Sequence, residues 1–329
     1  MNSALHRLAL IAAIVAFIVI VLGAFVRLSD AGLGCPDWPG CYGQLTWPVD
    51  NDEIAQANLA FPERAVETGK AWKEMVHRYL AGALVLLVLA INFLAWKTPG
   101  RRHVRLLAAV LLVFILFQAA LGMWTVTLKL LPVVVMGHLL GGLATFSLLL
   151  WMAWRTSSDR SSSSGEVFRR HRSLILTAFV VLIVQLALGG WTSSNYSALA
   201  CPDFPTCQGK MWPDMNFSDA FVLGREIGVD YEGGVLDLRS RVAIHMTHRI
   251  GAVVAFIVLG LLALKLMAGP TARREGMILA ALLLAQVTLG IQNVVLQLPL
   301  VNAVAHNGMG ALLLAAMLWL MYRSAARLD

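Results

Sequence analysis

Long hydrophobic stretches recur along this chain and are separated by shorter polar segments. Each stretch is long enough to cross the hydrocarbon core of a bilayer as an α-helix, which takes about 20 residues. Eight of them lie at about 8–26, 75–96, 105–127, 133–154, 173–193, 242–266, 275–295 and 301–322. Because backbone polar groups in lipid must be satisfied within the helix, the pattern predicts an all-α polytopic membrane protein with eight transmembrane helices.

The composition agrees with a membrane protein. The chain has 329 residues, of which 58% are hydrophobic and only 14% are charged, whereas a soluble domain carries about 25% charged residues. The first stretch begins with a few basic residues, as a signal peptide does. It is followed by "LGAFVRLSD" in place of a small-residue cleavage site, so we interpret it as the first transmembrane helix.

The formal net charge of +7 is divided between the two sides of the predicted membrane and does not indicate nucleic-acid binding. The segments at 97–105, 155–172 and 265–274, together with both termini, hold most of the Lys and Arg residues but few acids. By the positive-inside rule, both termini are predicted to be cytoplasmic, and the loops after the first and fifth helices lie outside.

The sequence contains an internal repeat that spans most of the chain. The loop "GLGCPDWPGCYG" at 32–43 returns as "ALACPDFPTCQG" at 198–209, and "QAALG" at 118–122 returns as "QVTLG" at 286–290. We call the segments at 32–43 and 198–209 the first and the second cysteine loop. Since each copy has four predicted helices, an even number, we expect a parallel repeat of two four-helix bundles, related by an axis along the membrane normal.

The repeat divides the chain into two halves and a connector. Residues 1–154 form the N-terminal half and residues 173–329 the C-terminal half. Between them, residues 155–172 contain a Ser-rich run without hydrophobic periodicity, which predicts a flexible cytoplasmic linker.

Four of the eight histidines lie at the same depth in predicted helices. They are on the second, fourth, sixth and eighth helices, each near the outer end: His77, His138, His248 and His306. Ionisable residues inside a membrane are costly and usually functional, although a lone histidine can also make a hydrogen bond between helices. Two histidines facing each other across a bundle suit a six-coordinate haem or another imidazole-liganded metal, and no His-Glu-x-x-His zinc motif is present.

Residues beside two of these histidines indicate further roles. Arg78 and Arg249 directly follow a histidine and could pair with haem propionates, or could simply extend to the membrane interface. Three residues before the histidine, the first half has Glu74 where the second has His245. A carboxylate at a haem edge could take up protons or stabilise positive charge, so this difference favours a catalytic first half. An interfacial acid without a catalytic role is the alternative.

This combination of motifs resembles the haem A synthase family of membrane enzymes. The resemblance rests on "GAFVRLSDAGLGCPDWPGC" at 23–41, the Glu-x-x-His-Arg at 74–78, the "HMTHR" at 245–249 and the histidines of the fourth and eighth helices, and it covers nearly the whole chain. It implies an oxidoreductase that converts haem O to haem A for terminal oxidases. In that reaction a porphyrin methyl group becomes a formyl group through successive hydroxylations and loss of water.

The resemblance also implies a role for each matching residue. His77 and His138 would hold the substrate haem O, and Glu74 would be needed for the chemistry. His248 and His306 would ligate the iron of a haem b cofactor. The protein would be a multi-pass protein of the bacterial inner membrane with periplasmic cysteine loops. The resemblance makes a handover of haem O from a haem O synthase plausible, whereas an electron acceptor and a homo-oligomer are candidate partners that the sequence does not identify.

The cysteines match the cysteine-bearing bacterial form of the family, since many mitochondrial-type relatives lack them. The loops face an oxidising compartment, in which disulfides persist. We expect Cys35 to pair with Cys41, and Cys201 with Cys207, and each disulfide to stiffen a lid over its half. A redox-active first pair is an alternative, as are free thiols or a metal site, for which the spacing is poor.

Two other functions compete with a haem-modifying enzyme. A non-catalytic dihaem electron carrier of the cytochrome b type would explain the four histidines, but it would not need Glu74 opposite His245. A transporter built from repeats would predict helices broken near the midplane of the membrane, and none is evident in the sequence.

Overall fold

The computed structural model describes residues 3–98, 102–157 and 165–325. Within these ranges the chain is helical, without strands beyond isolated bridges. Its helices are α1 (Ser3–Leu28), α2 (Asn51–Ala60), α3 (Thr68–Lys97), α4 (Arg102–Thr127), α5 (Pro132–Thr156), α6 (Gly165–Arg170), α7 (Arg172–Ser194), α8 (Phe217–Ala220), α9 (Leu238–Met267), α10 (Arg273–Val295) and α11 (Leu300–Ala325).

Eight of these helices, namely α1, α3, α4, α5, α7, α9, α10 and α11, are long and apolar enough to cross a membrane. Each coincides with one predicted hydrophobic stretch, so the prediction of an all-α protein with eight membrane-spanning helices is confirmed. Three of them begin four or more residues earlier than the hydropathy indicated, α1 at Ser3, α3 at Thr68 and α9 at Leu238. The first turns of α3 and α9 are mostly polar, and the start of α9 is capped by Asp237, which accepts a hydrogen bond from Ser240 N at 2.6 Å.

The long helices of each half contact one another in a closed ring. In the N-terminal half, α1 and α4 each contact both α3 and α5. The helices α1 and α4 do not contact each other and lie on opposite sides of the ring. In the C-terminal half α9 contacts α7 and α10, and α11 contacts α10 and α7. The halves meet where α1 and α5 contact α11 and α5 contacts α7. These contacts fit two four-helix bundles, and their parallel relationship stays a prediction.

Small residues on one side of α1 let this helix pack closely against three others. Ala9, Ala12, Ala13 and Ala16 are all buried in the main core cluster, which extends across both halves. Because a small side chain allows two helix backbones to approach closely, α1 can contact α3, α5 and α11 at once. The outward faces of the helices carry exposed large apolar side chains, as a lipid-facing surface requires.

Part of the connector between the halves is helical and packs against the core. Residues Gly165–Arg170 form the short helix α6, which contacts α11. Phe168 is completely buried there, with the guanidinium of Arg323 5.2 Å from its ring centroid. One aromatic side chain thus anchors this stretch of the linker to the core. The Ser-rich run at 158–164, for which flexibility was expected, lies outside the described residues.

A second connection joins the halves at the end of the molecule that carries the cysteine loops. Arg64, which precedes α3, forms ion pairs with Asp230 at 2.9 Å and with Glu232 at 3.0 Å. On α1, Arg27 donates to Ser193 O at 2.7 Å and lies 3.9 Å from the ring centroid of Tyr196. Side chains of the N-terminal half thus bind the segments that flank α7 and α9.

We expect Phe168→Ala to destabilise the protein by about 3–5 kcal/mol, the usual cost of removing a buried aromatic ring. Thermal unfolding of the purified protein in detergent would measure the effect. Phe117→Ala is a matched control, because Phe117 is 53% exposed on the apolar surface of α4. Equal unfolding temperatures for the two variants would show that α6 is not anchored by Phe168.

Candidate functional site

The four histidines lie on α3, α5, α9 and α11, and each packs its ring against a glycine of a neighbouring helix. Each ring Cε1 lies 3.0 or 3.1 Å from the point that a glycine Cβ would occupy, for His77 on Gly23, His138 on Gly122, His248 on Gly189 and His306 on Gly290. A Cβ at this distance would force the ring to move. Sequence reasoning used "QAALG" and "QVTLG", which contain two of these glycines, only as markers of the repeat and missed this contact.

The histidines interact in the predicted pairs. His77 and His138 are near enough to interact electrostatically, and so are His248 and His306. All four residues are only partly buried by protein, so part of their surface remains available. The structure therefore brings together the residues of each predicted pair.

These residues fit the axial ligation of a haem. The Nδ1 atoms of His77 and His306 are buried and have no hydrogen-bond partner, although buried polar atoms are nearly always satisfied. Nowhere in the described ranges do three or more His, Cys, Asp or Glu residues form a group that could hold a bare metal ion. Two imidazoles without a third protein ligand suit an iron whose other ligands come from a porphyrin.

Three glutamines contact these histidines and were assigned no role from the sequence. The amide nitrogen of Gln185 lies 3.0 Å from Nδ1 of His248 and donates to the main-chain oxygen of that residue at 3.1 Å. The amide nitrogen of Gln118 likewise lies 3.1 Å from Nδ1 of His138 and donates to the main-chain oxygen of that residue at 2.6 Å. The amide nitrogen of Gln286 lies 3.2 Å from Nε2 of His306. The sequence signal that could have revealed these glutamines is the motif Gln-x-x-Leu-Gly, which ends at three of the four glycines.

Glu74 is buried beneath the first cysteine loop, with only 4% of its surface exposed. Its Oε2 accepts a hydrogen bond from Cys35 N at 2.9 Å, and its Oε1 accepts one from Arg78. The same guanidinium donates to the loop carbonyls of Asp37 at 2.9 Å and Pro39 at 3.3 Å. Glu74 and Arg78 together hold the loop against the start of α3.

The second half repeats this arrangement with a different side chain. His245 is buried, and its Nδ1 accepts a hydrogen bond from Cys201 N at 3.3 Å. The Nε atom of Arg249 lies 3.3 Å from Nε2 of His245, and its Nη2 donates to Cys201 O at 3.1 Å and to Asp203 O at 2.9 Å. Glu74 and His245 therefore occupy equivalent places. Only the first half has a carboxylate there.

Both arginines use their donors on the cysteine loops. Apart from its bond to Glu74, Arg78 contacts main-chain oxygens of the first loop, and Arg249 contacts those of the second. Their predicted contact with haem propionates stays a prediction. What the structure adds is a direct link from each histidine-bearing helix to the loop above it.

Each cysteine loop is closed by a disulfide and by an aspartate. Cys35 pairs with Cys41 and Cys201 with Cys207, with Cα atoms 4.8 and 4.6 Å apart. The expected pairing is thus confirmed. In the first loop, Asp37 accepts hydrogen bonds from the backbone of the residues after the second cysteine, at 2.6 and 2.8 Å.

In the second loop, Asp203 has the same role as Asp37. Hydrogen bonds from the Thr206 hydroxyl and from the backbone N–H groups of Gly209 and Gln208 hold the pKa of Asp203 below its ordinary value. The carboxylate is therefore ionised at neutral pH and continues to accept these bonds. Both cysteine loops are therefore closed by a disulfide and by an aspartate in the same way.

Comparison with known proteins identifies relatives along nearly the whole chain. The model of the COX15-CtaA family, described as cytochrome oxidase assembly protein, matches residues 6–318. A protein of Shewanella oneidensis named heme A synthase is 49% identical over 305 residues, covering 93% of this chain and 92% of the relative. One of Caulobacter with the same name is 30% identical over 332 residues, covering 93% and 91%.

We expect Glu74→Ala to destabilise the protein by about 3–5 kcal/mol, because it leaves the Cys35 N–H without its acceptor and the guanidinium of Arg78, which is only 12% exposed, without its carboxylate. Glu74→His should cost clearly less, since His245 accepts the same N–H in the second half. Thermal unfolding in detergent would measure both. If Glu74→His were as damaging as Glu74→Ala, the two positions would not be equivalent.

Proposed function

Because the chain belongs to the COX15-CtaA family of cytochrome oxidase assembly proteins, we propose that it is a haem A synthase. It is a membrane oxidoreductase that converts haem O to haem A. The relative that is 49% identical carries this name. The observation that carries the proposal is the buried carboxylate of Glu74, one turn from His77, at the place where the second half has His245.

We assign the substrate to the N-terminal half, residues 1–154. His77 and His138 would bind the iron of haem O and so fix the porphyrin between α3 and α5. The closed first cysteine loop would cover this site and exclude water. Two bonds, from Cys35 N and Arg78, orient the carboxylate of Glu74.

Glu74 has no acidic counterpart in the second half, because His245 occupies the equivalent place there. A fixed carboxylate can take the proton of one hydroxyl group of a dihydroxylated methyl carbon and return it to the other hydroxyl, which leaves as water as the carbonyl forms. It can also stabilise positive charge that develops on the substrate. Arg78 is then a positioning residue, because it holds Glu74 and the loop.

We assign a haem b cofactor to the C-terminal half, residues 173–329. His248 and His306 would hold its iron, with their rings packed against Gly189 and Gly290. When bound there, haem b would supply one-electron transfer. His245 provides a neutral acceptor for the loop N–H and leaves no carboxylate beside this haem.

The sidedness follows from the charges. Most of the basic residues lie at the ends of the helices opposite the cysteine loops, so we place both termini in the cytoplasm and the loops in the periplasm of a bacterial inner membrane. Haem O would come from a haem O synthase in the same membrane, and electrons would pass to an acceptor outside this chain.

The division between the halves is tested by histidine variants. His138→Ala should abolish haem A formation but leave the six-coordinate spectrum of a haem in the second half. His248→Ala should remove that spectrum. Absorption spectra and haem content of the purified variants would measure this. Loss of all haem in His138→Ala would contradict separate sites.

The role of the carboxylate is tested by Glu74→Gln, which keeps an acceptor for Cys35 N. This variant should bind haem O and convert less than about 1% as much as the unaltered protein, since general acid–base catalysis contributes about 10²–10⁴-fold. The matched control is His245→Gln, which should still convert haem O. Full turnover by Glu74→Gln would exclude Glu74 from the chemistry.

A further inference from the structure

A segment of the C-terminal half contacts the N-terminal half at the end of the molecule that carries the cysteine loops. We call this segment, residues 226–234 shortly before α9, the strap. Its Tyr231 is only 3% exposed and packs in one apolar cluster with Leu33 and Leu130 of the first half. The backbone N–H of Tyr231 donates to Lys129 O at 3.0 Å. The strap is thus fixed both to the turn between α4 and α5 and to the start of the first cysteine loop.

Arg64 joins the strap to the start of the first cysteine loop. Its Nη1 donates to Leu33 O at 3.2 Å and to Glu232 Oε2 at 3.0 Å, and its Nη2 donates to Asp230 Oδ2 at 2.9 Å. Only 24% of the Arg64 side chain is exposed, so these bonds are partly shielded from water. The two carboxylates of the strap therefore hold the guanidinium against the carbonyl of Leu33.

The start of this loop is held from two further sides. A Cβ at Gly34 would lie 2.7 Å from the main chain in the first turn of α3, so this glycine lets the loop rest directly on the helix. The next N–H, that of Cys35, donates to Oε2 of Glu74 at 2.9 Å. Only one residue separates the carbonyl that Arg64 binds from the N–H that Glu74 accepts. A shift of Leu33 would therefore also move the group that orients the carboxylate.

The start of the second cysteine loop is not covered in this way. Leu199 and Cys201 stand where the first loop has Leu33 and Cys35. Leu199 is 42% exposed, whereas Leu33 is 4% exposed. The last six residues before α9, "EGGVLD", contain no Arg or Lys that could take the place of Arg64. Among the described residues, a buried loop start with an arginine on its carbonyl is thus a feature of the first half alone.

We propose that Arg64 is a positioning residue for the reaction. The strap of the C-terminal half holds Arg64 against Leu33 O, and the first cysteine loop then keeps Glu74 in its productive orientation. This inference rests on the proposed role of Glu74. Arg64 acts through the loop, because its terminal nitrogens are used on Leu33, Asp230 and Glu232. The C-terminal half would thus have two tasks, to hold its own haem and to complete the substrate site of the other half.

Hydrogen–deuterium exchange of the purified full-length protein tests the hold on the loop. Arg64→Ala should speed exchange in the peptide that contains Cys35 by about tenfold or more, the effect expected when a hydrogen bond from a charged donor is lost. The peptide that contains Cys201 is an internal control and should exchange as in the unaltered protein. The matched variant Glu67→Gln removes an exposed ion pair with Lys70 and should change neither peptide. Unchanged exchange of the first loop in Arg64→Ala, or an equal rise in both loops, would overturn the proposal.

Steady-state kinetics separate positioning from binding. In Arg64→Ala, kcat for haem O conversion should fall about tenfold or more while KM for haem O stays the same, because a displacement of about 1 Å in a reacting group can slow a reaction about 10²-fold. Arg64→Lys keeps a donor for Leu33 O and should recover most of the lost kcat. A rise in KM with an unchanged kcat would place Arg64 in haem binding and contradict the proposal.

Exchanging the charges distinguishes the hold on the loop from the contact between the halves. Arg64→Glu combined with Asp230→Lys and Glu232→Lys restores ion pairs between the halves, but a carboxylate cannot donate to Leu33 O. This variant should unfold at a higher temperature than Arg64→Ala and keep its fast loop exchange and low kcat. Recovery of kcat would show that Arg64 only joins the halves. If the unaltered protein did not convert haem O but its loops exchanged as expected, the proposed function would fail and the hold of Arg64 on the loop would stand.

Discussion

The contact between a histidine ring and a glycine on the neighbouring helix is the constraint on which the rest of this structure depends. It occurs once for each of the helix pairs α1–α3, α4–α5, α7–α9 and α10–α11. Because a Cβ at about 3 Å would require the ring to shift by a few tenths of an ångström, the glycine lets the histidine ring and the neighbouring helix approach this closely. The predicted ligands of both haems are thus set by one repeated packing rule.

Within this shared architecture, the two halves differ in the charge of a buried side chain. At the loop end, Glu74 and His245 accept the same backbone hydrogen bond, so a charge could change without a change of fold. The first half therefore has a buried carboxylate at its loop end where the second half has an imidazole.

Much of this architecture could be predicted from the sequence, since hydropathy alone located the eight long helices. The repeat singled out the histidines, and the local spacing of the cysteines fitted their pairing. The anchoring of α6 could not be foreseen, because it depends on the burial of the single ring of Phe168 against a distant helix. The contacts of Gln185 with His248 could not either, since hydropathy does not show which side of a helix faces a given neighbour.

The most direct test of two unlike haem sites is the haem content of the unaltered protein, purified with and without a supply of haem O. Its haems would be extracted and separated by reverse-phase chromatography with mass detection. We predict one haem b in both preparations and, with the supply, a second haem that is haem O, its hydroxylated form or haem A. Two molecules of haem b per chain under both conditions would instead identify an electron carrier.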